Sequence, residues 1–190
     1  MGTNVNRCVL LDRDGVINRA VRDGYVLETS AVEILPGAAR AIADLNAAGY
    51  SVLVVTNQQC VGKGMLAPEI LQEIHDHIRE KVALESGGRI EAFYCCPHLA
   101  QDACLCRKPK PGLIHQARDQ YGFEIVQTYF VGDSYSDLIT AGNAGCKPIF
   151  VLSGLDAERY RAGVPLPHLD CPVAPDLAEA VRLILENTLE

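Results

Sequence analysis

The sequence predicts an α/β domain wound on a mainly parallel sheet, and three observations carry the prediction. Short apolar runs ending in polar residues recur at Cys8-Val-Leu-Leu-Asp12, Ser51-Val-Leu-Val-Val-Thr56 and Thr128-Tyr-Phe-Val-Gly-Asp133. Such runs suit strands covered on both faces, where neither face alternates with solvent. Helical patterns lie between them, as crossovers between parallel strands require. The length of 190 residues fits one core with little room for a second, so residues 1–190 are expected to form a single domain.

Taken in order, the run ending at Asp12 opens the sheet, and a helical pattern from Ala38 to Ala48 stops at Gly49. After the second run, Ile70, Ile74, Ile78 and Val82 recur every four residues along one helix face, and a strand is expected over Ile90 to Tyr94. Pro111 opens a helix that ends near Tyr121-Gly122. The third run leads to a helix after Ser136, a strand over Pro148 to Leu152, and a last helix from Asp176 to Leu185. Gly163 to Pro175 is the longest expected loop, with no catalytic role. No internal repeat, low-complexity tract or linker interrupts this order.

Apolar residues make up 48% of the chain and charged residues 22%, which excludes disordered and fibrous classes. No stretch approaches the roughly 18 apolar residues of a membrane span, and the opening MGTNVNR lacks the apolar core of a secretory signal. A cytoplasmic monomer with no membrane partner is expected. The net charge of -7 offers nucleic acid no global basic surface, so an anionic ligand needs a local positive site. Of the eight cysteines, Cys95, Cys96, Cys104 and Cys106 crowd one segment, which points to metal or redox chemistry. Cys8, Cys60, Cys146 and Cys171 lie among apolar residues and read as small core hydrophobes.

Asp12 and Asp14 flank Arg13 where the first strand leaves the sheet. Two carboxylates this close repel unless a cation or proton lies between them, which fits Mg²⁺, an ion that takes oxygen ligands and keeps waters for a phosphate. Read alone, the pattern is equally a solvated polar turn. The other strand ends favour a site. Thr56-Asn57 offers a hydroxyl and an amide to a phosphoryl oxygen, Arg107-Lys108-Pro109-Lys110-Pro111-Gly112 sets cations before a helix, and Gly132-Asp133 with Asp137 adds two carboxylates. Asp12, Asp14, Asp133 and Asp137 are matched in charge by Arg107, Lys108 and one divalent ion, leaving a site open to an anion.

These motifs in this order resemble the haloacid dehalogenase (HAD) superfamily. Cys96-Pro97-His98 and Cys104-Leu105-Cys106, directly before Arg107, are similar to the D-glycero-D-manno-heptose 1,7-bisphosphate phosphatases, which are related to histidinol-phosphate phosphatases. The resemblance runs from about Cys8 to the last helix. It implies a Rossmann-like domain with a zinc-binding loop over about residues 95–107. No gap between motifs is long enough for a lid domain, so the fold is expected to be capless.

The implied activity is Mg²⁺-dependent hydrolysis of the C7 phosphate of the heptose bisphosphate through an aspartyl-phosphate. By the same resemblance Asp12 is the nucleophile and Asp14 the acid and base. The carboxylates of Asp12 and Asp133 and the backbone carbonyl of Asp14 hold Mg²⁺. Thr56 and Lys108 stabilise the phosphoryl oxygens, Asp137 orients Lys108, and Arg107 recognises substrate. Asn57, Gln58, Gln59 and Ser134, with Arg22, Asp23, Gly24 and Tyr25 of the flap after the first strand, are the expected substrate contacts.

Cys96, His98, Cys104 and Cys106 offer three sulfurs and a nitrogen, the donor set of a closed, structural Zn²⁺ site that pins the loop carrying Arg107 and Lys108. By the family pattern Cys95 is a bystander. A redox pair would need a Cys-x-x-Cys motif, and a zinc knuckle for nucleic acid would need more basic and aromatic interleaving. His75 and His77 lie two apart on a helical pattern and read as a solvated face. Two rival functions remain: a histidinol-phosphate or other small sugar-phosphate phosphatase, and a receiver-like phosphoacceptor. Asp14 disfavours the second, because a base beside the acceptor would hydrolyse the acyl phosphate.

Overall fold

The computed structural model describes residues 7–168 and 170–187; the Met1–Asn6 segment lies outside the described residues. Six strands, β1 (Cys8–Leu11), β2 (Ser51–Asn57), β3 (Ala92–Cys96), β4 (Tyr129–Gly132), β5 (Lys147–Val151) and β6 (Val173–Ala174), form one sheet in the order β3-β2-β1-β4-β5-β6. Every pairing is parallel. The chain leaves β1 toward β2 on one side and returns as β4 on the other, so a crevice opens at the carboxyl end of β1.

Among the described residues the α-helices are α1 (Ala38–Ala47), α2 (Gln59–Gly62), α3 (Pro68–Ser86), α4 (Gly112–Tyr121), α5 (Tyr135–Ala144), α6 (Ala157–Arg161) and α7 (Leu177–Glu186). Successive strand residues point to opposite faces. Val9 and Leu11 therefore pack with α1, α3 and α7, while Cys8 and Leu10 pack with α4 and α5. Both faces of β1 are dry, which is why its sequence reads as a continuous apolar run. Pro68 starts α3 with the φ a first turn needs, and Gly87 ends it in the left-handed region. Asp176 caps α7 by accepting from the Glu179 amide.

The expected elements are present, with boundary differences that have local causes. The strand expected over Ile90 to Tyr94 runs from Ala92 to Cys96, because register with β2 pairs Ala92 with Leu53 and Cys96 with Asn57. The long loop from Gly163 holds the two-residue β6, and α6 is too short and polar for periodicity to reveal. No inserted folding unit separates the motifs among the described residues. Cys8, Cys60, Cys146 and Cys171 are buried as read. His75 is a correction: it is 3% exposed on the buried stripe of α3 with Leu71, Ile74, Ile78 and Val82, and does not face solvent.

Candidate active site

Three strand ends and one loop converge on the crevice. Asp12 follows β1, Thr56 lies near the end of β2, Asp133 follows β4, and Lys108 enters from the loop before α4. With Asp14, Asn57, Gly24, Tyr25 and Ser134 they line a cleft of about 290 Å³. Lys108 is buried, its Nζ 2.9 Å from Asp12 Oδ1, 2.6 Å from Asp137 Oδ1 and donating to the Val55 carbonyl at 3.0 Å. Burial opposes its charge, but Asp12 and Asp137 outweigh that and push its pKa up, so it stays cationic. Asn57 fixes the Lys108 backbone from both sides, donating Nδ2 to the carbonyl at 3.2 Å and accepting from the amide at 3.0 Å. Its amide is thus occupied by the protein, although the residue lines the cleft.

The carboxylates divide by how they are held. Asp12 Oδ1 accepts from the Arg13 amide at 2.7 Å, and Asp133 Oδ2 accepts from the Leu155 amide at 2.9 Å. The other oxygen of each takes no hydrogen bond among the described residues. Asp137 is committed elsewhere, to Lys108 and to Ser134, whose Oγ donates to its Oδ2 at 2.7 Å. Ser134 is the N-cap of α5 in a reciprocal capping box with Asp137. Burial raises the pKa of Asp12 to about 7 against the pull of Lys108, with Asp137 and Asp14 adding to the rise. Asp133 is raised by burial and by Asp12. Two crowded acids, each with an open oxygen, fit a small hard cation. Asp12, Asp133 and Asp137 form a group whose ligand atoms lie within 4.8 Å of one another.

Asp14 sits in a different environment. Arg13 Nη2 donates to both of its oxygens at 2.9 and 2.8 Å, Asn18 Nδ2 to Oδ1 at 2.8 Å, and Gln58 Nε2 to Oδ2 at 2.7 Å. Burial would raise its pKa, but Arg13, Asn18 and Gln58 prevail and hold it below the usual carboxylate range. Gln58, read from sequence as a substrate contact, is buried behind the cleft and also donates to Thr56 Oγ1 at 3.0 Å. Arg13 is fully buried and cancels the charge of Asp14. Arg13 therefore supplies, from behind the cleft, a positive charge additional to Lys108, while Arg107 is not among the residues that line the cleft.

The remaining expected contacts form a rim. Arg107 Nη2 donates to Gln59 Oε1 at 3.4 Å, Gln59 Nε2 donates to the Tyr25 hydroxyl at 2.8 Å, and Lys63 Nζ donates to the same hydroxyl at 2.8 Å. Arg22 pairs with Glu158 of α6 at 2.7 Å, tying the flap to the opposite wall, and neither Arg22 nor Asp23 lines the cleft. That wall, Leu155 and Asp156, escaped the sequence reading. The signal was available: ligands gather beyond the carboxyl ends of strands, and these residues follow β5. Gly154 sits against Asp133, where a Cβ would fall 1.8 Å from Oδ2; Gly15, at φ +87°, would place one 2.4 Å from the same atom. Only hydrogen at both positions lets Asp133 reach the crevice.

Beside this site lies a second donor cluster. Cys106 Sγ is 3.3 Å from Cys96 Sγ, 3.5 Å from Cys104 Sγ and 3.2 Å from His98 Nδ1, and Cys96 and Cys104 are 3.7 Å apart. A tetrahedral zinc with Zn–S near 2.3 Å has S···S edges of about 3.8 Å, so the donors are already near their bound spacing. Strand alternation separates the neighbouring cysteines: Cys96 faces Cys104 and Cys106, while Cys95 packs against the opposite core. Arg107 Nη1 donates to the His98 carbonyl at 3.3 Å, and Lys110 Nζ donates to the Ala103 and Cys104 carbonyls at 2.8 and 2.7 Å. Lys110 thus holds the loop, and Arg107 is tied to the cluster.

Residues 105–180 match a family model described as HAD-hydrolase-like. The D-glycero-beta-D-manno-heptose-1,7-bisphosphate 7-phosphatase of Pseudomonas aeruginosa is 38% identical over 178 residues, covering 94% of this chain and 97% of that one. The D-glycero-alpha-D-manno-heptose-1,7-bisphosphate 7-phosphatase of Mycobacterium bovis is 44% identical over 137 residues, 72% of each chain. The crystal structure of D,D-heptose 1,7-bisphosphate phosphatase from B. bronchiseptica, complexed with magnesium and phosphate, is 35% identical and superposes with a TM-score of 0.88 over 95% of this chain and 99% of that one. With the fold, the four motifs and these relatives in agreement, the chain belongs to the heptose-1,7-bisphosphate 7-phosphatase family of HAD-like hydrolases.

Proposed function

We propose that this protein hydrolyses the C7 phosphate of D-glycero-D-manno-heptose 1,7-bisphosphate with Mg²⁺ in the carboxylate site and Zn²⁺ in the sulfur cluster. The observation that carries the reading is Asp12: one oxygen is fixed by the Arg13 amide and Lys108, the other takes no hydrogen bond among the described residues, and the residue lines a cleft with Asp14, Thr56 and Asp133. Asp12, Asp133 and the Asp14 carbonyl would hold Mg²⁺, which would supply positive charge that screens the phosphate from the anionic nucleophile. Asp12 attacks phosphorus, the C7 oxygen leaves with a proton from Asp14, and an aspartyl-phosphate forms. Water then attacks phosphorus and gives its proton to Asp14, restoring both acids and releasing phosphate. The carboxylate form of Asp14 favoured here is the one needed for this second half. Thr56 and Lys108 stabilise the charge on the transferring oxygens, and Arg107 at the rim grips the part of the sugar bisphosphate that does not react.

A substrate panel tests the reading. Both anomers of the heptose bisphosphate should release one phosphate, from C7, with Mg²⁺ present, and histidinol phosphate should turn over at least about a hundredfold less efficiently. Comparable turnover of histidinol phosphate would overturn the assignment. A stable phosphoprotein that accumulates without turnover would favour a phosphoacceptor instead.

A further inference from the structure

The catalytic scheme leaves one buried pair unused. Arg13 has no exposed surface, and its guanidinium meets two side chains among the described residues: Asp14 through Nη2, and His75 Nε2, 3.4 Å from Nη1. Its Nε is buried without a partner. A buried guanidinium with so few contacts takes its orientation from each of them. His75 is itself rigidly placed. It is on the buried face of α3, and its ring stacks on Phe93 of β3 with centroids 4.3 Å apart and planes 10° from parallel. Arg79, one helical turn on, lies 4.9 Å from the same Phe93 ring and is held by Asp76 and the Ile90 carbonyl. Burial, Arg13 and Arg79 lower the His75 pKa to about 3, so the ring is neutral and has one nitrogen free to accept.

We propose that His75 is a positioning residue for the reaction: by accepting from Arg13 Nη1 it fixes the guanidinium that grips Asp14, and so aims the acid-base carboxyl from outside the cleft. The inference rests on the reading of Asp14 as acid and base. A leucine would fill this stripe of α3 without the cost of burying an imidazole, and a fixed acceptor for a buried cation accounts for a histidine here. With the acceptor gone, the guanidinium keeps a single side-chain partner and can pivot about its contact with Asp14, carrying the carboxylate off line. Misplacement of this kind slows proton transfer most where the leaving group is poorest.

His75→Phe, which keeps a ring against Phe93 but removes the acceptor, is the primary variant, and His75→Leu supports it should packing fail. Expected on the heptose bisphosphate is a fall in kcat of about tenfold with KM within about twofold, and on an aryl phosphate a fall of less than about threefold. His75→Gln, which restores an acceptor, should recover most of the loss. In an Asp14→Asn background, His75→Phe should cost less than about twofold more. An undiminished further loss in that background, or full activity of the single variant, would overturn the proposal. Equal damage to both substrates by Asp14→Asn alone would instead overturn the acid-base reading, while the coupling between the two positions would still decide the role of His75.

Discussion

The two donor clusters lie on either side of Lys108 and are built by opposite routes. The sulfur cluster comes from one short segment, Cys96 to Cys106, and its donors already sit near tetrahedral spacing. The oxygen cluster is assembled from distant ends of β1 and β4, and burial together with the crowding of its acids raises the pKa of both Asp12 and Asp133. The difference teaches that a ligand set closed within one loop contributes to folding, whereas a set gathered by the sheet stores repulsion that a cation relieves, and only then can a phosphate enter. Breaking one should therefore register mainly in stability and breaking the other mainly in rate.

Asp12→Asn gives the largest effect on the catalytic side. It should lower turnover by at least about 10³-fold and abolish phosphoenzyme, while metal analysis still finds one zinc per chain. Loss of zinc in this variant would show that the two centres are not separable. Cys106→Ser is the counterpart: zinc should fall away and the thermal midpoint drop by about 6–12 °C, equivalent to about 3 kcal/mol. Cys95→Ser, on the other face of β3, should keep the metal. Full zinc after Cys106→Ser would remove Cys106 from the ligand set.

Arg107 tests the seam between the centres, since it is tied to both His98 and Gln59. Arg107→Ala should cut kcat/KM on the bisphosphate about 30-fold, roughly 2 kcal/mol, and damage an aryl phosphate far less. Equal damage would place Arg107 at the reacting phosphate. Gly154→Ala forces a methyl against Asp133, and Mg²⁺ should bind about tenfold more weakly with zinc content unchanged. Unchanged Mg²⁺ affinity would show that Asp133 does not depend on this close approach.

The smallest effect is in pH. In the metal-free protein the Asp12 pKa is about 7, above the unfolded value of about 3.9. A carboxyl raised on folding contributes stability that is full below its unfolded pKa and is lost as pH rises through the folded one. On the proposed assignment protons and Mg²⁺ would compete for the same oxygens, so the rise in thermal midpoint on adding Mg²⁺ should be about 2–4 °C larger at pH 8 than at pH 5. Equal rises would mean that Asp12 does not bind the ion.

What was legible in the sequence follows the same division. Cys96, His98, Cys104 and Cys106 are readable by spacing, and Asp12, Thr56 and Asp133 by their place after apolar runs. Arg13 and His75 were not, because a cation between two aspartates reads as solvated and a lone histidine on a helix carries no sign of what stacks on it. Gln58 shows a related difficulty: an amide beside Thr56-Asn57 reads as a contact, yet at the start of α2 it is buried and donates to Asp14 and Thr56. Leu155 and Asp156 were hidden because their segment bears no motif and gains meaning only once β5 is seated beside β4.

Asn57 holds Lys108 by its backbone and Cys96 pairs with Asn57 across β2 and β3, so the segment between Cys96 and Lys108 is closed at its neck. A loop fastened there can change in length at its tip without moving its base, since lengthening an already closed flexible loop adds only about 0.6 kcal/mol per doubling. The stretch from Leu99 to Ala103, with the exposed Leu105 beyond it, is therefore a place where this chain should take inserted residues. Whatever is grafted there would be displayed next to the cleft, while the lysine at the root keeps its address.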